Sequence, residues 1–387
     1  MNDKPAILFY CQHSLGMGHL MRSLALAETM VERFRVVLLN GGRLPKGIRI
    51  HPAIQIVNLP PLGIDEANQL VSHDKRIPVE RALDRRRKMI VTCFEELRPA
   101  AVIVELFPFG RKKFAGELLP LLRAARAPEK RALIVCSLRD ILVNRRSNQQ
   151  KYDDRAAALA NEFFDAVLVH SDPAFARFEE TFHPNILLQV PVMYTGFVVP
   201  QSFPQSTSVS LTKTQRKRIV VSAGGGVVGE PLLRLSIEAH RYFANDPEVE
   251  MKVIAGPLIQ TSSWQALRTE ARGKKRLRLV RHVSDLCAEL SNAAVSISQA
   301  GYNTCLDVLR AGVPALLVPF TKEEEDEQRK RALRLQNLGL VKVLAQEEQT
   351  PERLAAEIRR RMDFKFPKTA LDLGGAQCTV KLIESMI

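Results

Sequence analysis

The chain reads as an α/β protein made of two parallel-sheet, Rossmann-like domains facing across a cleft. Three observations predict this. Short apolar runs alternate with segments of helical period along all 387 residues. The runs show little polar alternation, as strands buried on both faces of a parallel sheet do. A Ser-, Thr-, Pro- and Gln-rich stretch, FVVPQSFPQSTSVSLTKTQRKR (197–218), interrupts the pattern midway and suits a linker.

In the first half the strand-like runs are AILFYC (6–11), RVVLLN (35–40), IQIVNL (54–59), AVIVEL (101–106), ALIVCS (132–137) and DAVLVH (165–170). Helical periodicity appears in LMRSLALAETMVERF (20–34) and VERALDRRRKMIVTCFEEL (79–97). The second half repeats the scheme with RIVVSA (218–223), MKVIAG (251–256), LRLV (277–280), AAVSIS (293–298) and ALLVP (315–319). The boundaries predicted are an N-terminal domain over 1–199, a linker over 200–217 and a C-terminal domain over 218–370. LDLGGAQCTVKLIESMI (371–387) turns helical after its two glycines.

Apolar residues make up 46% of the chain and charged residues 25%, which is ordinary for a soluble globular protein. No apolar run approaches the ~18 residues of a membrane span. The opening MNDKPAILFYCQH is too short and too polar at its flanks for a signal peptide. The six cysteines are scattered without a C-x-x-C pair, which fits reduced core thiols and a cytoplasmic location. The net charge of +14 is not a tail: residues 1–200 hold 28 basic and 21 acidic side chains, and 201–387 hold the same numbers. Basic clusters lie at 85–88, 111–113, 213–218 and 272–278. A solvated surface and attraction to an anionic membrane both remain open. Nucleic acid is disfavoured, because no binding module or aromatic-interleaved basic strand is present.

The stretch Ser296–Gly339 carries the chemistry most clearly. A buried strand runs into the turn Gln299-Ala300-Gly301, and a short helix opens with Asn303 and Thr304. Small residues in such a turn let a ligand approach the backbone, and the helix amino end suits a diphosphate. Asp307 lies further along that helix, where a carboxylate could hold the two hydroxyls of a ribose. AGVPA (311–315), VPF (318–320) and the pair Glu327-Gln328 follow in order.

This ordered set resembles the donor-binding segment of the family 28 glycosyltransferases, whose best-known member forms lipid II. It departs in two places. Asp307 stands where the family usually has Glu, and the acidic segment between Phe320 and Gln328 is about one residue longer. The resemblance implies a glycosyltransferase-B fold and a nucleotide-diphosphate sugar donor, most simply a UDP-sugar. It also implies a hydroxyl acceptor such as a lipid-linked or polysaccharide precursor, and a peripheral place on the inner face of the membrane. A C-terminal helix that crosses back onto the first domain often accompanies that fold. VRHVSDL (280–286) corresponds to a family stretch whose backbone reads the uracil ring, with His282 and Val283 nearest. A plain surface histidine is the alternative for His282.

Two further glycine turns follow strands. Gly16 and Gly18 precede His19 in SLGMGHLMRSLALAE (14–28). This segment is also similar to the opening of the UDP-sugar hydrolase of pseudaminic acid synthesis. His19 could act as a base, or cap the helix. VVSAGGGVVGE (220–230) places Ser222 and Gly224, Gly225 and Gly226 before another helix. The family has a Gly-rich loop with a serine here, although its order differs. Glu105, Arg139, Asp140, His170 and Asp172 sit at strand ends, where ligands bind in parallel sheets. Arg139 and Asp140 are candidates for acceptor contact, with a local ion pair as the plainer alternative. The acidic run at 323–327 suits the first turn of a helix.

The reaction expected from these features is an inverting sugar transfer. His19, or failing that Glu105, takes the acceptor proton, and helix amino ends stabilise the departing diphosphate. No cofactor is called for, and without a D-x-D pair no metal is expected. A nucleotide-sugar hydrolase, an epimerase of the same build, and a non-catalytic nucleotide-sugar binder are the rival readings.

Overall fold

The computed structural model describes residues 4–13, 17–45, 48–65, 69–142, 148–200, 217–320 and 326–387. Gly16, nearly all of the 200–217 linker and residues 323–325 of the acidic run lie outside the described residues. The chain divides into two compact units, Met1–Gln201 with Leu371–Ile387, and Ser202–Ala370.

The first unit opens with β1 (Ala6–Cys11), α1 (Gly18–Met30), β2 (Arg35–Asn40) and β3 (Gln55–Asn58). A small hairpin follows, β4 (Leu62–Ile64) and β5 (Leu70–Ser72), then α2 (Val79–Leu97) and β6 (Ala101–Glu105). Next come α3 (Ala115–Arg126), β7 (Leu133–Arg139), α4 (Gln149–Phe163), β8 (Ala166–His170) and β9 (Val192–Tyr194). Seven strands form one parallel sheet in the order β3-β2-β1-β6-β7-β8-β9. The strand period of two sends Ile7, Phe9 and Cys11 into the core on one face and Leu8 and Tyr10 into the core on the other. The sequence did not announce β4, β5 or β9, which are three residues each and largely half-buried.

Helix α2 buries Ala82, Arg86, Ile90 and Phe94, a stripe at four-residue spacing, and ends at Arg98 in the left-handed conformation. Arg86 is fully buried, so the basic cluster at 85–88 is not all surface charge. The C-terminal helix (Gly375–Met386) buries Ala376, Val380 and Ile383 in the same core as the inner face of α1. Its approach is fixed by Phe197 N donating to Asp372 O at 2.7 Å and Gly375 N to Phe197 O at 3.0 Å. A Cβ on Gly375 would lie 2.3 Å from Gly196 O, so only glycine fits there.

The second unit holds β10 (Lys217–Ser222), α5 (Glu230–Ala239), β11 (Val249–Ile254), α6 (Thr261–Ala271), β12 (Leu277–Val280) and α7 (Leu286–Ser291). It continues with β13 (Val295–Ser298), α8 (Tyr302–Ala311), β14 (Ala315–Leu317), α9 (Glu327–Asn337), β15 (Lys342–Val343) and α10 (Pro351–Met362). The C-terminal helix is α11. The six-stranded parallel sheet runs β12-β11-β10-β13-β14-β15.

Each sheet reverses its winding once, between β1 and β6 in the first unit and between β10 and β13 in the second. A crevice opens outside the carboxyl ends of the strands at such a point, because the flanking connections leave in opposite directions. The segment after β1 and the glycine turns after β10 and β13 therefore lie at the two places where these folds bind ligands.

Candidate active site

In the first unit, α1 starts at Gly18, and His19 occupies its first turn beside the end of β6. His19 Nδ1 lies 2.6 Å from Glu105 Oε1. Arg22, one turn further along α1, also donates through Nη2 to Glu105 Oε1. Glu105 is wholly buried, and the His19 side chain is 15% exposed. Burial is the largest influence on His19 and pulls it down to about 3, against Glu105, which raises it. Burial alone would raise Glu105, but His19, Arg22 and Arg111 outweigh it and bring the carboxyl to about 2. At neutral pH the pair is thus a neutral imidazole and a carboxylate. The carboxylate accepts the Nδ1 proton, which leaves Nε2 as the basic nitrogen. Among the described residues Nε2 makes no hydrogen bond.

The structure corrects two strand-end expectations. Glu105 cannot itself meet an acceptor, because it is fully enclosed and held by His19 and Arg22. Its chemistry reaches outward only through His19. His170 is also fully buried, between Ser137 Oγ at 2.8 Å and Thr195 Oγ1 at 2.9 Å. Burial and Arg22 hold it well below its ordinary value, so it is a neutral core histidine. Asp172 Oδ2 accepts from Asp372 N at 3.0 Å and fastens the segment leading to α11. Arg139 ends β7 half-buried, and Asp140 follows it fully buried.

A second buried network supports the end of β1. Arg86 Nε donates to Glu117 Oε2 at 2.7 Å, and its Nη2 donates to Gln12 Oε1 at 2.6 Å. Its Nη1 donates to Gly41 O at 2.7 Å and Pro60 O at 2.9 Å, and Tyr10 Oη donates to Glu117 Oε1 at 2.5 Å. One guanidinium thereby ties the segments after β1, β2 and β3 to α2 and α3.

In the second unit three backbone segments converge. Gly224, Gly226 and Gly256 have φ of 58°, 87° and 97°, all left-handed. A Cβ on Gly226 would lie 2.5 Å from Ala255 O, and one on Gly256 would lie 2.5 Å from Gly226 N. The loop after β10 therefore nests directly on the loop after β11, which only glycines allow. Ser222 is buried and its Oγ accepts from Gly224 N at 3.2 Å, so it shapes this loop and does not present its hydroxyl at the surface. Gln299 N donates to Ser222 O at 3.3 Å, and Gln299 Nε2 donates to Val228 O at 3.2 Å, which joins the loop after β13 to the loop after β10. Thr304 Oγ1 is 3.2 Å from the Cβ position of Gly224 and 3.9 Å from that of Gly301. Gly301 begins α8 with no side-chain cap, and Asn303 sits half-buried in its first turn.

Asp307 is half-buried on α8. Burial is the main cause that raises it to about 7, with Asp285 adding to this and Arg310 opposing it. Gln328 Oε1 accepts from Phe320 N at 3.1 Å, so it braces the VPF segment, with Glu327 next to it at the start of α9. His282 is exposed, with Nδ1 2.9 Å from Val283 O. Thus Ser222, the three glycines, Gln299, Ala300, Gly301 and Thr304 come together, while His282 and Val283 lie after β12, beyond β11 in the sheet order.

Sequence reasoning did not assign Arg22, Arg111, Gly256 or Arg331 to the site. Arg22 carried a signal, since it places a charge among the apolar positions of α1, whereas Arg331 lies in the charged run EQRKRALRLQN and carried none. Arg331 is 2% exposed, donates to Ala300 O at 2.9 Å and lies over the Tyr302 ring. Gly256 carried none beyond being a glycine after a strand.

Two doubly wound parallel sheets, the second with glycine turns at its switch point, have the glycosyltransferase-B fold. The MurG protein of Acinetobacter baumannii superposes with a TM-score of 0.57 at 19% identity, covering 99% of this chain and 100% of that one. A putative UDP-N-acetylglucosamine 2-epimerase of Listeria monocytogenes gives 0.60 at 14% identity, covering 99% and 96%. Within that fold, residues 248–370 match the family model described as the glycosyltransferase family 28 C-terminal domain, and this segment is such a domain.

The UDP-N-acetylglucosamine–N-acetylmuramyl-(pentapeptide) pyrophosphoryl-undecaprenol N-acetylglucosamine transferase of Nitrosococcus oceani is 39% identical over 83 residues, 21% of this chain and 23% of that protein. An uncharacterized glycosyltransferase of Methanopyrus kandleri is 25% identical over 171 residues, 44% of this chain and 45% of that protein. The chain spans less than half the length of these curated relatives in the matched stretches.

Proposed function

We propose that this chain is a glycosyltransferase that moves a sugar from a nucleotide-diphosphate donor, most simply a UDP-sugar, to a hydroxyl acceptor with inversion and without a metal. The observation that carries this reading is the His19 Nδ1 to Glu105 Oε1 contact of 2.6 Å at the β1–β6 switch point, in a chain whose second unit contains a family 28 domain. Nε2 of His19 removes the acceptor proton as the acceptor oxygen attacks the anomeric carbon. The bond from that carbon to the diphosphate breaks, and the nucleotide diphosphate departs with the electron pair. Glu105 stabilises the imidazolium that results.

The donor reading rests on the second unit. Backbone amides around Gly224–Gly226 and Gly301 face developing charge without needing a side chain, as helix amino ends do. Asp307, as carboxylate, accepts from ribose hydroxyls, and His282–Val283 supply backbone for the base. The acceptor is a lipid-linked or polysaccharide precursor, reached at the inner membrane face by a cytoplasmic protein without nucleic-acid partners. Among the described residues no helix is long and apolar enough to cross a membrane, so docking would rest on exposed basic side chains such as Arg272, Lys275 and Arg278.

Nucleotide release from UDP-, dTDP- and GDP-sugars, with and without a bacterial lipid extract, tests the reading. Release that depends on the extract and yields a glycolipid is expected. Release without extract that yields free sugar would replace it with a hydrolase.

A further inference from the structure

We propose that Arg331 is a positioning residue for the donor diphosphate: by holding the Ala300 carbonyl inward, it turns the Gly301 N–H outward to the phosphates. The inference rests on the donor reading above and adds to it a residue from α9.

The turn Gln299-Ala300-Gly301 is pinned at both ends. Gln299 N donates to Ser222 O at 3.3 Å and its Nε2 to Val228 O at 3.2 Å, which ties the start of the turn to the end of β10 and the loop after it. Gly301 O accepts from Cys305 N at 3.0 Å, which ties the end of the turn to α8. The Ala300–Gly301 peptide lies between these anchors. With a methyl group on one side and no side chain on the other, sterics alone hold its plane weakly. Arg331 Nη1 holds it by donating to Ala300 O at 2.9 Å. The peptide is trans, so its N–H points opposite to its C=O. The carbonyl is bound to a residue that is 2% exposed and so faces the interior. The Gly301 N–H then faces the open end of the turn, and it donates to no group among the described residues. A hydrogen bond received at the carbonyl also polarises the peptide and strengthens its N–H as a donor.

The type of residue argues for a role beyond packing. Helix α9 buries Arg331, Ala332 and Leu335. An aliphatic side chain would fill the place of Arg331 as those two fill theirs, without the cost of enclosing a guanidinium. The guanidinium also lies over the Tyr302 ring, 5.8 Å from its centroid. Tyr302 is the first residue of α8, so Arg331 clamps the turn and the helix that leaves it together.

The experiment titrates UDP and uridine into full-length wild type, Arg331→Met and Arg331→Lys, following backbone amides by NMR. In the wild type UDP should move the Gly301 amide and uridine should not. Arg331→Met should weaken UDP at least ~10-fold and leave uridine affinity, read from the amides that it moves, within about 2-fold, because only the phosphates lose an aimed donor. Arg331→Lys can still donate to Ala300 O, so the same selective loss should be smaller there; this variant decides the matter where Arg331→Met does not fold. Unchanged UDP affinity in the variants overturns the proposal. So does an equal loss of UDP and uridine in Arg331→Lys, since that would mark Arg331 as a support for the whole unit. A wild type whose Gly301 amide ignores UDP would sink the donor reading, and this role with it, before any variant is compared.

Discussion

Oε1 of Glu105 serves His19 and Arg22 together, taking Nδ1 of the imidazole at 2.6 Å and a guanidinium hydrogen of the residue one turn along the same helix. The carboxylate is therefore held as an anion in a dry site, and the imidazole is held in one tautomer. His19→Ala should lower kcat by about 10²–10⁴-fold while leaving donor affinity unchanged. Glu105→Gln should lower kcat by about 10²-fold or more, since the amide stabilises no imidazolium. Steady-state kinetics beside donor titration by calorimetry separate the two quantities, and a parallel loss of donor binding would contradict the assignment.

With Asp307 holding the ribose as proposed, the donor site should depend on pH. The Asp307 carboxyl titrates near 7 in the folded protein because burial disfavours the charge. Only the carboxylate accepts from both ribose hydroxyls, so donor affinity should fall as pH drops from 8 to 6. The linkage runs the other way for stability. The folded state keeps the proton between about 4 and 7 while the unfolded state has lost it, so stability falls as pH rises through that window. Asp307→Asn should flatten the donor profile, weaken binding, and raise the stability of the free protein at pH 8 by on the order of 1–3 kcal/mol. Donor titrations and thermal melts across pH check both signs.

Gly226 and Gly256 are mutually exclusive with any larger residue. Each has left-handed φ, and each would drive a Cβ into backbone 2.5 Å away. Gly256→Ala should cost more than about 1–3 kcal/mol and abolish donor binding, because neither backbone can retreat. Gly273→Ala is the control: it has the same φ class with nothing within 4 Å, and should cost stability without touching the donor site.

The buried Arg86–Glu117 pair is a support, and removing one member exposes its cost. Glu117→Ala leaves the buried Arg86 charge without its carboxylate and should destabilise by about 3–5 kcal/mol. Replacing both, Arg86→Met with Glu117→Leu, should restore much of that loss. Chemical denaturation of the single and double variants measures the difference.

Ile383 ties α11 to the core of the first unit. Ile383→Ala should cost about 2–5 kcal/mol through the cavity it leaves, as read from denaturation midpoints.

The sheets were legible because parallel strands buried on both faces leave uninterrupted apolar runs: AILFYC and RVVLLN coincide with β1 and β2. β9 and β15 were not, since three and two residues with half-buried faces leave no period to read. The glycine turns of the second unit were legible from their spacing after strands. The dependence of His19 on Arg22 and Glu105 was only half legible. Glu105 could be placed at a strand end, but its complete burial depends on how α1 lies across β6. Arg86 was not told apart from its basic cluster, because a charge run does not reveal that one of its members points inward at the spacing of Ala82, Ile90 and Phe94. Ser222 was expected at the ligand, and its Oγ also accepts from Gly224 N within the loop, a role that one hydroxyl in a sequence cannot reveal.

The most direct test of the central claim follows the anomeric proton of the first product by NMR, with wild type and His19→Ala, starting from an α-linked UDP-sugar and a lipid extract. The account predicts a β-linked glycoside with the wild type and none with His19→Ala, although both bind the donor. An α-linked product, free sugar in place of a glycoside, or equal turnover by His19→Ala would contradict it.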